Sequence, residues 1–341
     1  MKKILNILCA VSLLSVACTE EVFVSRNHDI DAEVNEMQTK MELSTLYCNI
    51  NDSVSPDLQK LGEYLTEKDA DVAMFVAPAK VGSTDFKTWL DGYAAANGLT
   101  AWESRNDNGL LTMAALVKAE LPTQKYAVVQ GSTLSNAVLH IEVNDIHFVV
   151  TEIAPARNAV PEDWKDQATT MQKNKKTVPL VYDPDNLVAR AAEVTNIVNQ
   201  TMDNAAFLKE QNWVWAVDTN APSNLDMVKY NKEYALVDCY DDVTDEFLTY
   251  ENAYFSVEPL LSSDDKYFAV NAALIYNGLV DCNAVRYSVY TATGADDLRY
   301  NLLYASGECW NMFQTFEYDR VAAGEIGANH YPILVTLKSE E

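Results

Sequence analysis

The sequence predicts a layered α/β domain, and three observations carry that prediction. Strand-length apolar runs and helical repeats alternate from about residue 43 to the C-terminal end. No stretch rich in proline, glycine and serine divides them. Several apolar runs stop abruptly at a polar residue with a turn former close behind, which is how a buried strand delivers a side chain to a sheet end. Interleaved strands and helices of this kind pack as sheets covered by helices. With 341 residues and 48% hydrophobic content, the chain can build one sizeable core.

Taken in order, residues 43–51 read as a strand ending in asparagines. Ser55 and Pro56 suit a helix start, serine as cap and proline at the first position, and Leu58, Leu61 and Leu65 continue at helical spacing. Residues 71–78 form a second buried strand closed by proline, and residues 86–97 a second helix with Trp89, Leu90, Tyr93 and Ala94 on one side. Asn108-Gly109 is a turn before a strand at 110–118, and 125–129 reads as another short strand. Alternation across Asn144-Asp145 predicts a hairpin of 137–143 with 146–153. Residues 154–184 are polar and irregular, and 186–208 are helical. A short apolar strand falls at 236–240, an inserted hairpin within 254–285, and closing strands at 299–305 and 333–337.

The stretch from Trp213 to Pro222 organises the rest. Its apolar run ends in Asp218-Thr219-Asn220. Asp218 and Asn220 are two apart, so both side chains can leave the same side of a pleat. A carboxylate and an amide held there can orient a water, a metal or a phosphate. The competing reading is an Asx-turn, in which both serve only their own backbone.

Charge narrows the partners. Fifty acidic against 25 basic residues give a net charge of −25, and the one basic cluster is the short Lys173-Asn174-Lys175-Lys176. A polyanion binder needs a basic stripe, so nucleic acid is not expected as a partner. Asp238, Asp241, Asp242, Asp245 and Glu246 lack the spacing of a calcium loop and read as a solvated face.

Residues 1–17 form a signal peptide: Met1-Lys2-Lys3, then an apolar run too short to span a bilayer, then Ser15-Val16-Ala17 before Cys18. The pattern resembles a bacterial lipoprotein signal, with Ser15 where a leucine is usual. Lipidation of Cys18 is expected to anchor the protein to the outer membrane. Glu20-Glu21 resembles a signal for export to the cell surface. Residues 18–40 read as the lipidated cysteine and its tether, and 41–341 as the domain. Cys48, Cys239, Cys282 and Cys309 then remain, with three complete disulfide pairings possible and none favoured by spacing.

The ordered series of strand ends resembles the endonuclease/exonuclease/phosphatase superfamily, over about residues 43–337. Asn49 matches the asparagine ending the family's first strand. Ala70 to Pro78 fits the PDVVxLQEV frame, with Ala77 at the metal-binding glutamate. Val150-Thr151-Glu152-Ile153 fits NTHL, with Glu152 at the histidine. Val217-Asp218-Thr219-Asn220-Ala221-Pro222 matches GDFNAP, and Leu236-Val237-Asp238-Cys239-Tyr240 an LxDAY-like segment. Arg299-Tyr300-Asn301 fits RIDYI with Asn301 at the aspartate. Asn329-His330-Tyr331-Pro332 fits SDHxP with Asn329 at the aspartate.

The resemblance implies a deoxyribonuclease I-like fold, a four-layer α+β sandwich of two packed mixed sheets flanked by helices. It also implies a residual site of Asp218, Asn220 and His330, with Asn49, Glu152, Asn301 and Asn329 as candidate ligands or contacts. Ala77, Asn301 and Asn329 each remove an expected acid, and a hard divalent cation draws most of its attraction from carboxylates. No metal site is therefore assigned. One reading is a catalytically degraded binding protein with a glycan or protein ligand. The other is a metal-dependent phosphoesterase with a rearranged site, in which Mg or Mn is held by Asp218, Asn220, Glu152 and His330, with Glu103 or Asp107 folding in to replace the acid lost at Ala77.

Overall fold

Two six-stranded sheets are built from strands that each divide their side chains between an outer helical layer and the space between the sheets. The computed structural model describes residues 42–51, 56–78, 83–106, 108–128, 138–153, 184–201, 211–221, 223, 225, 239–241, 246–248, 269–289, 291–294 and 299–338. The leader, Cys18, the tether and most of the acidic cluster lie outside these residues. Leu43–Lys338 forms one compact unit.

The first half of the chain runs β1 (Glu42–Asn49), α1 (Leu58–Lys68), β2 (Val72–Val76), α2 (Ser83–Asn97), β3 (Leu99–Arg105), β4 (Leu111–Lys118), β5 (Thr123–Tyr126), β6 (Leu139–Val143) and β7 (Ile146–Glu152). The second half runs α3 (Pro184–Thr201), β8 (Asn212–Asp218), β9 (Cys239–Asp241), β10 (Glu246–Leu248), α4 (Ala269–Tyr276), β11 (Leu279–Asp281), α5 (Cys282–Arg286), β12 (Asn301–Ser306), α6 (Gly307–Asn311), β13 (Phe313–Tyr318), α7 (Arg320–Ile326) and β14 (Ile333–Lys338). The first sheet has the order β13-β14-β1-β2-β4-β3 and the second β11-β12-β8-β7-β6-β5, with β9 and β10 pairing separately. Both sheets are mixed, since β1 and β2 are parallel, as are β7 and β8, among antiparallel neighbours.

Strand alternation sets the layers. Leu46 and Cys48 of β1 join Phe75, Ala114 and Leu116 in an outer cluster under Leu61 and Leu65 of α1 and Phe86, Leu90 and Ala94 of α2. Trp213, Trp215 and Val217 of β8 form the other outer core with Ile197 and Val198 of α3 and Val270 and Leu274 of α4. Each such aliphatic or Phe side chain contributes about 1.5–3 kcal/mol through burial. The residues of opposite parity, among them Tyr47 and Asn49 of β1 and Asp218 of β8, face the space between the sheets.

Several sequence expectations change. The first helix is capped by Asp57, whose Oδ1 accepts from Gln59 N and Lys60 N, both at 3.0 Å, so the helix begins at Leu58 rather than at Pro56. An Asp beside the first apolar residue serves the free amides and the helix dipole together. Residues 269–276 form a helix, α4, where a hairpin was expected. Ala269, Val270, Asn271, Ala272 and Leu274 are all buried, and an apolar run covered on most sides has no readable period. The rest of that expected hairpin falls largely on residues that are not described. The helix expected at 186–208 runs Pro184–Thr201, and residues 202–210 lie outside the described set. Strands β3 and β13 were not anticipated. Both are sheet edges with exposed polar positions such as Thr100, Gln314 and Glu317. Cys48, Cys282 and Cys309 are free buried thiols, and burial raises all three, Cys309 to about 12.

Candidate functional site

The parallel pair β7/β8 and the antiparallel pair β8/β12 end in register. Glu152 lies beside Asp218, and Asn301 beside Asp218 on its other side. Register partners on neighbouring strands leave the same face. These three side chains therefore form one row at one end of the second sheet, facing the first sheet.

The first sheet answers with amides. Asn49, the last residue of β1, donates through Nδ2 to Asp218 Oδ2 at 2.7 Å, and both residues are buried. Asn51, two residues on, donates through Nδ2 to Glu152 Oε1 at 2.7 Å. Asn49 Oδ1 accepts from Asn51 N at 3.1 Å and so sets the step between the two contacts. His330 places Nε2 3.7 Å from Asp218 Oδ2. Its strand-like bridge to Gly294, with Tyr331 N donating to Thr293 O at 2.9 Å, holds it there.

Asp218 serves two purposes at once. Besides the contact to Asn49, its Oδ1 accepts from Asn220 N at 3.1 Å, the Asx-turn hydrogen bond. Asn220 takes a left-handed φ of 46°, which Asn tolerates better than most residues. It points its Nδ2 away from the row, to Ile153 O at 2.9 Å. Asp218 and Asn220 therefore do not present a joint carboxylate and amide, because the chain leaves the pleat between them. Asn271 Nδ2 donates to Ala221 O at 3.0 Å and Tyr304 OH to Asn271 Oδ1 at 2.6 Å, which pins this turn from α4. Thr293 Oγ1 accepts from Tyr300 N and Asn301 N, both at 3.0 Å, and fixes the start of β12. Beside it Arg299, fully buried, donates to Asp281 Oδ2 at 2.8 Å.

Tyr47 lies on the same face of β1 as Asn49, by alternation. Burial raises its phenol well above the ordinary range, and the charges of Asp218 and Glu152 add to that. The sequence singled out neither Tyr47 nor Asn51, Thr293 or Asn271. For Asn51 a signal existed: Asn49-x-Asn51 repeats the two-residue spacing of Asp218-x-Asn220. Asn329, next to His330 in the chain, is exposed.

A divalent cation of the expected kind does not fit these residues. Ala77 is buried in the apolar cluster under α1 and α2, with its N–H donating to Thr112 O at 2.8 Å. Glu103 does not replace the lost acid. Its register through Ala114 to Phe75 puts it on the outer face, where its carboxylate meets Lys87 at 3.6 Å and Arg105 at 3.1 Å. Asp107 lies outside the described residues. Among the described residues no three His, Cys, Asp or Glu side chains gather into a metal site. The row also uses its carboxylate oxygens to accept amide N–H groups, which stabilises a buried anion without a cation.

A second polar cluster sits on the outer face of the second sheet, away from the row. His140 Nε2 and His147 Nδ1 are 3.0 Å apart. Tyr126 stacks on His140 with centroids 4.6 Å apart, and Trp213 on His147 at 4.3 Å. Burial, then the facing His147, lowers His140 to about 3. Burial lowers His147 as well, against the pull of Glu142 and Asp145.

No family model and no curated protein matches the chain. Solved structures do. An AP endonuclease from Archaeoglobus fulgidus superposes with a TM-score of 0.53 at 13% identity, over 86% of this chain and 99% of that one. The AP endonuclease LMAP from Leishmania major superposes with a TM-score of 0.51 at 12% identity, over 93% of this chain and 92% of that one.

Proposed function

The chain has the deoxyribonuclease I-like fold of the endonuclease/exonuclease/phosphatase proteins, and from that premise we propose a lipid-anchored outer-membrane protein whose domain binds a ligand and no longer hydrolyses phosphoesters. The observation that carries this reading is Ala77. Where the resemblance implies a metal-binding glutamate, a methyl group packs into an apolar cluster. Phosphoryl transfer depends chiefly on positioning and charge stabilisation. A site that has exchanged three acids for Ala77, Asn301 and Asn329 has lost the means of holding the ion that supplies both. Glu152 adds a negative charge where a phosphate would sit. The anchor rests on the leader and Cys18. A glycan or a protein is the ligand class that suits an acidic, surface-tethered domain, and nucleic acid does not suit it.

One observation favours the alternative, a metal-dependent phosphoesterase requiring Mg or Mn: His330 and Asp218 remain neighbours at 3.7 Å. Calorimetric titration of the full-length protein with magnesium, manganese and calcium, beside Asp218→Ala, separates the two. Absence of saturable binding, with no turnover on a phosphatase and nuclease panel, supports the binding reading. Saturable binding that Asp218→Ala abolishes, accompanied by turnover, replaces it with the alternative.

A further inference from the structure

The row contains one side chain whose hydrogen bonding is half made. Asn301 is fully buried. Its Nδ2 donates to Tyr331 O at 3.3 Å, which decides which end of the amide is the oxygen. Among the described residues its Oδ1 has no hydrogen-bond donor. Facing the row from β1, the hydroxyl of fully buried Tyr47 also has no hydrogen-bond partner among the described residues. Tyr47 leaves β1 on the same face as Asn49, whose Nδ2 meets Asp218 Oδ2 at 2.7 Å. Leaving a buried polar group unsatisfied costs about 1–3 kcal/mol. Two such groups beside the two carboxylates of the row form a local violation of the kind that marks a place where something is received.

We propose that this row receives a hydrogen-bond donor, neutral or cationic, in the form of a sugar hydroxyl or an alkylammonium, and that it does not receive a phosphate. Asn301 Oδ1 can only accept, and so can the carboxylates of Asp218 and Glu152. A phosphate brings further acceptors and negative charge against them. A hydroxyl or an ammonium donates to Oδ1 and can serve the Tyr47 hydroxyl as well. Half-buried Asn51 and exposed Asn329 mark the side from which the group enters. The proposal rests on the binding reading and names the chemistry of what is bound.

The test uses the full-length protein without added divalent metal, followed by thermal unfolding and calorimetry. The probes are methyl α-glucoside, methylammonium and inorganic phosphate. The proteins are wild type, Asn301→Leu, which removes the acceptor and keeps the branched shape, and Tyr47→Phe, which removes only the hydroxyl. The expected result is a rise in unfolding midpoint with one donor probe in wild type, lost in Asn301→Leu and weakened in Tyr47→Phe. A response to the glucoside assigns the hydroxyl, and a response to methylammonium assigns the cation. Unliganded Asn301→Leu is expected to stay close to wild type in stability, because the unsatisfied Oδ1 and the 3.3 Å contact to Tyr331 O are lost together. A response to phosphate alone overturns the proposal. So does silence to both donor probes, or a loss of stability in both variants without any probe response, which would make these groups structural. Metal-stimulated hydrolysis of p-nitrophenyl phosphate would instead remove the binding reading, and it is read in a separate assay.

Discussion

Two carboxylates close opposite ends of the same sandwich by different means. Asp71 precedes β2, at the end of the first sheet away from the row. Its Oδ2 accepts from Ser44 N at 2.7 Å and Ser44 Oγ at 2.9 Å, and Lys118 Nζ lies 2.9 Å from its Oδ1. Burial pushes this carboxyl up, but the Ser44 hydrogen bonds and Lys118 outweigh it and hold it below the usual range. Asp218 is 1% exposed and bridges the two sheets: Asn49 Nδ2 and Asn220 N donate to its two oxygens, and His330 Nε2 lies 3.7 Å from Oδ2. A strand-end carboxylate can thus be a local clasp with a lysine, tolerant of solvent, or a buried link between sheets in which amides donate to both oxygens. The second kind is the costlier one to disturb, because its donors lose an acceptor out of reach of water.

The largest effect should come from Asp218→Ala, which strands Asn49 Nδ2 and the Asn220 amide. A loss of about 3 kcal/mol is expected in denaturant unfolding. A loss below about 0.5 kcal/mol, the size of an ordinary surface change, would break the comparison. A double-mutant cycle with Asn49→Ala should return a coupling of about 1–3 kcal/mol, and additivity would mean that the contact links the sheets only geometrically.

Acid titration sharpens the contrast by pH window. His140 and His147 both have lowered folded-state values, so their contribution is present above the unfolded value and is lost as pH falls. With His140 near 3 when folded, stability should drop by about 2 kcal/mol between pH 7 and 5. Asp71 has a depressed folded value too, so its contribution persists until pH falls below about 4. Replacing His140 with Phe should flatten the first window and leave the second. A slope between pH 7 and 5 that survives in His140→Phe would assign the loss elsewhere. The smallest effect is expected from Lys118→Met, about 0.5 kcal/mol and diminished by salt, since the pair is partly exposed. A loss as large as that of Asp218→Ala would erase the distinction between the two ends.

The strands of the core were legible because their side chains are. Trp213 to Val217, residues 72–76 and the 139–152 hairpin carry unbroken apolar or alternating runs, and turn residues bound them. The edge strands were not legible, since β13 shows water Gln314, Thr315 and Glu317 and keeps only Phe316 fully inside. At the site, Asp218, Asn49, Glu152, Asn301 and His330 could be named from the order of strand ends. The sequence could not say that Asn220 turns away to Ile153, because a left-handed residue ends the two-residue repeat on which the expectation depended. Nor could it reveal the partnership of Asn51 with Glu152, which depends on two sheets meeting across 101 positions of chain.

The position of β1 also governs the order of assembly. It lies between β2, some thirty residues later, and β14, the last strand of the chain. Thr45 Oγ1 donates to Val335 O across 290 positions. The first strand therefore keeps an open edge until the last one arrives, and the first sheet cannot close on a nascent or truncated chain. Loop closure of that length precedes most of the reward it brings, which makes folding slow and late. Removing β14 should therefore cost more than one strand, because it leaves the centre of the sheet that holds Asn49 without its outer neighbour.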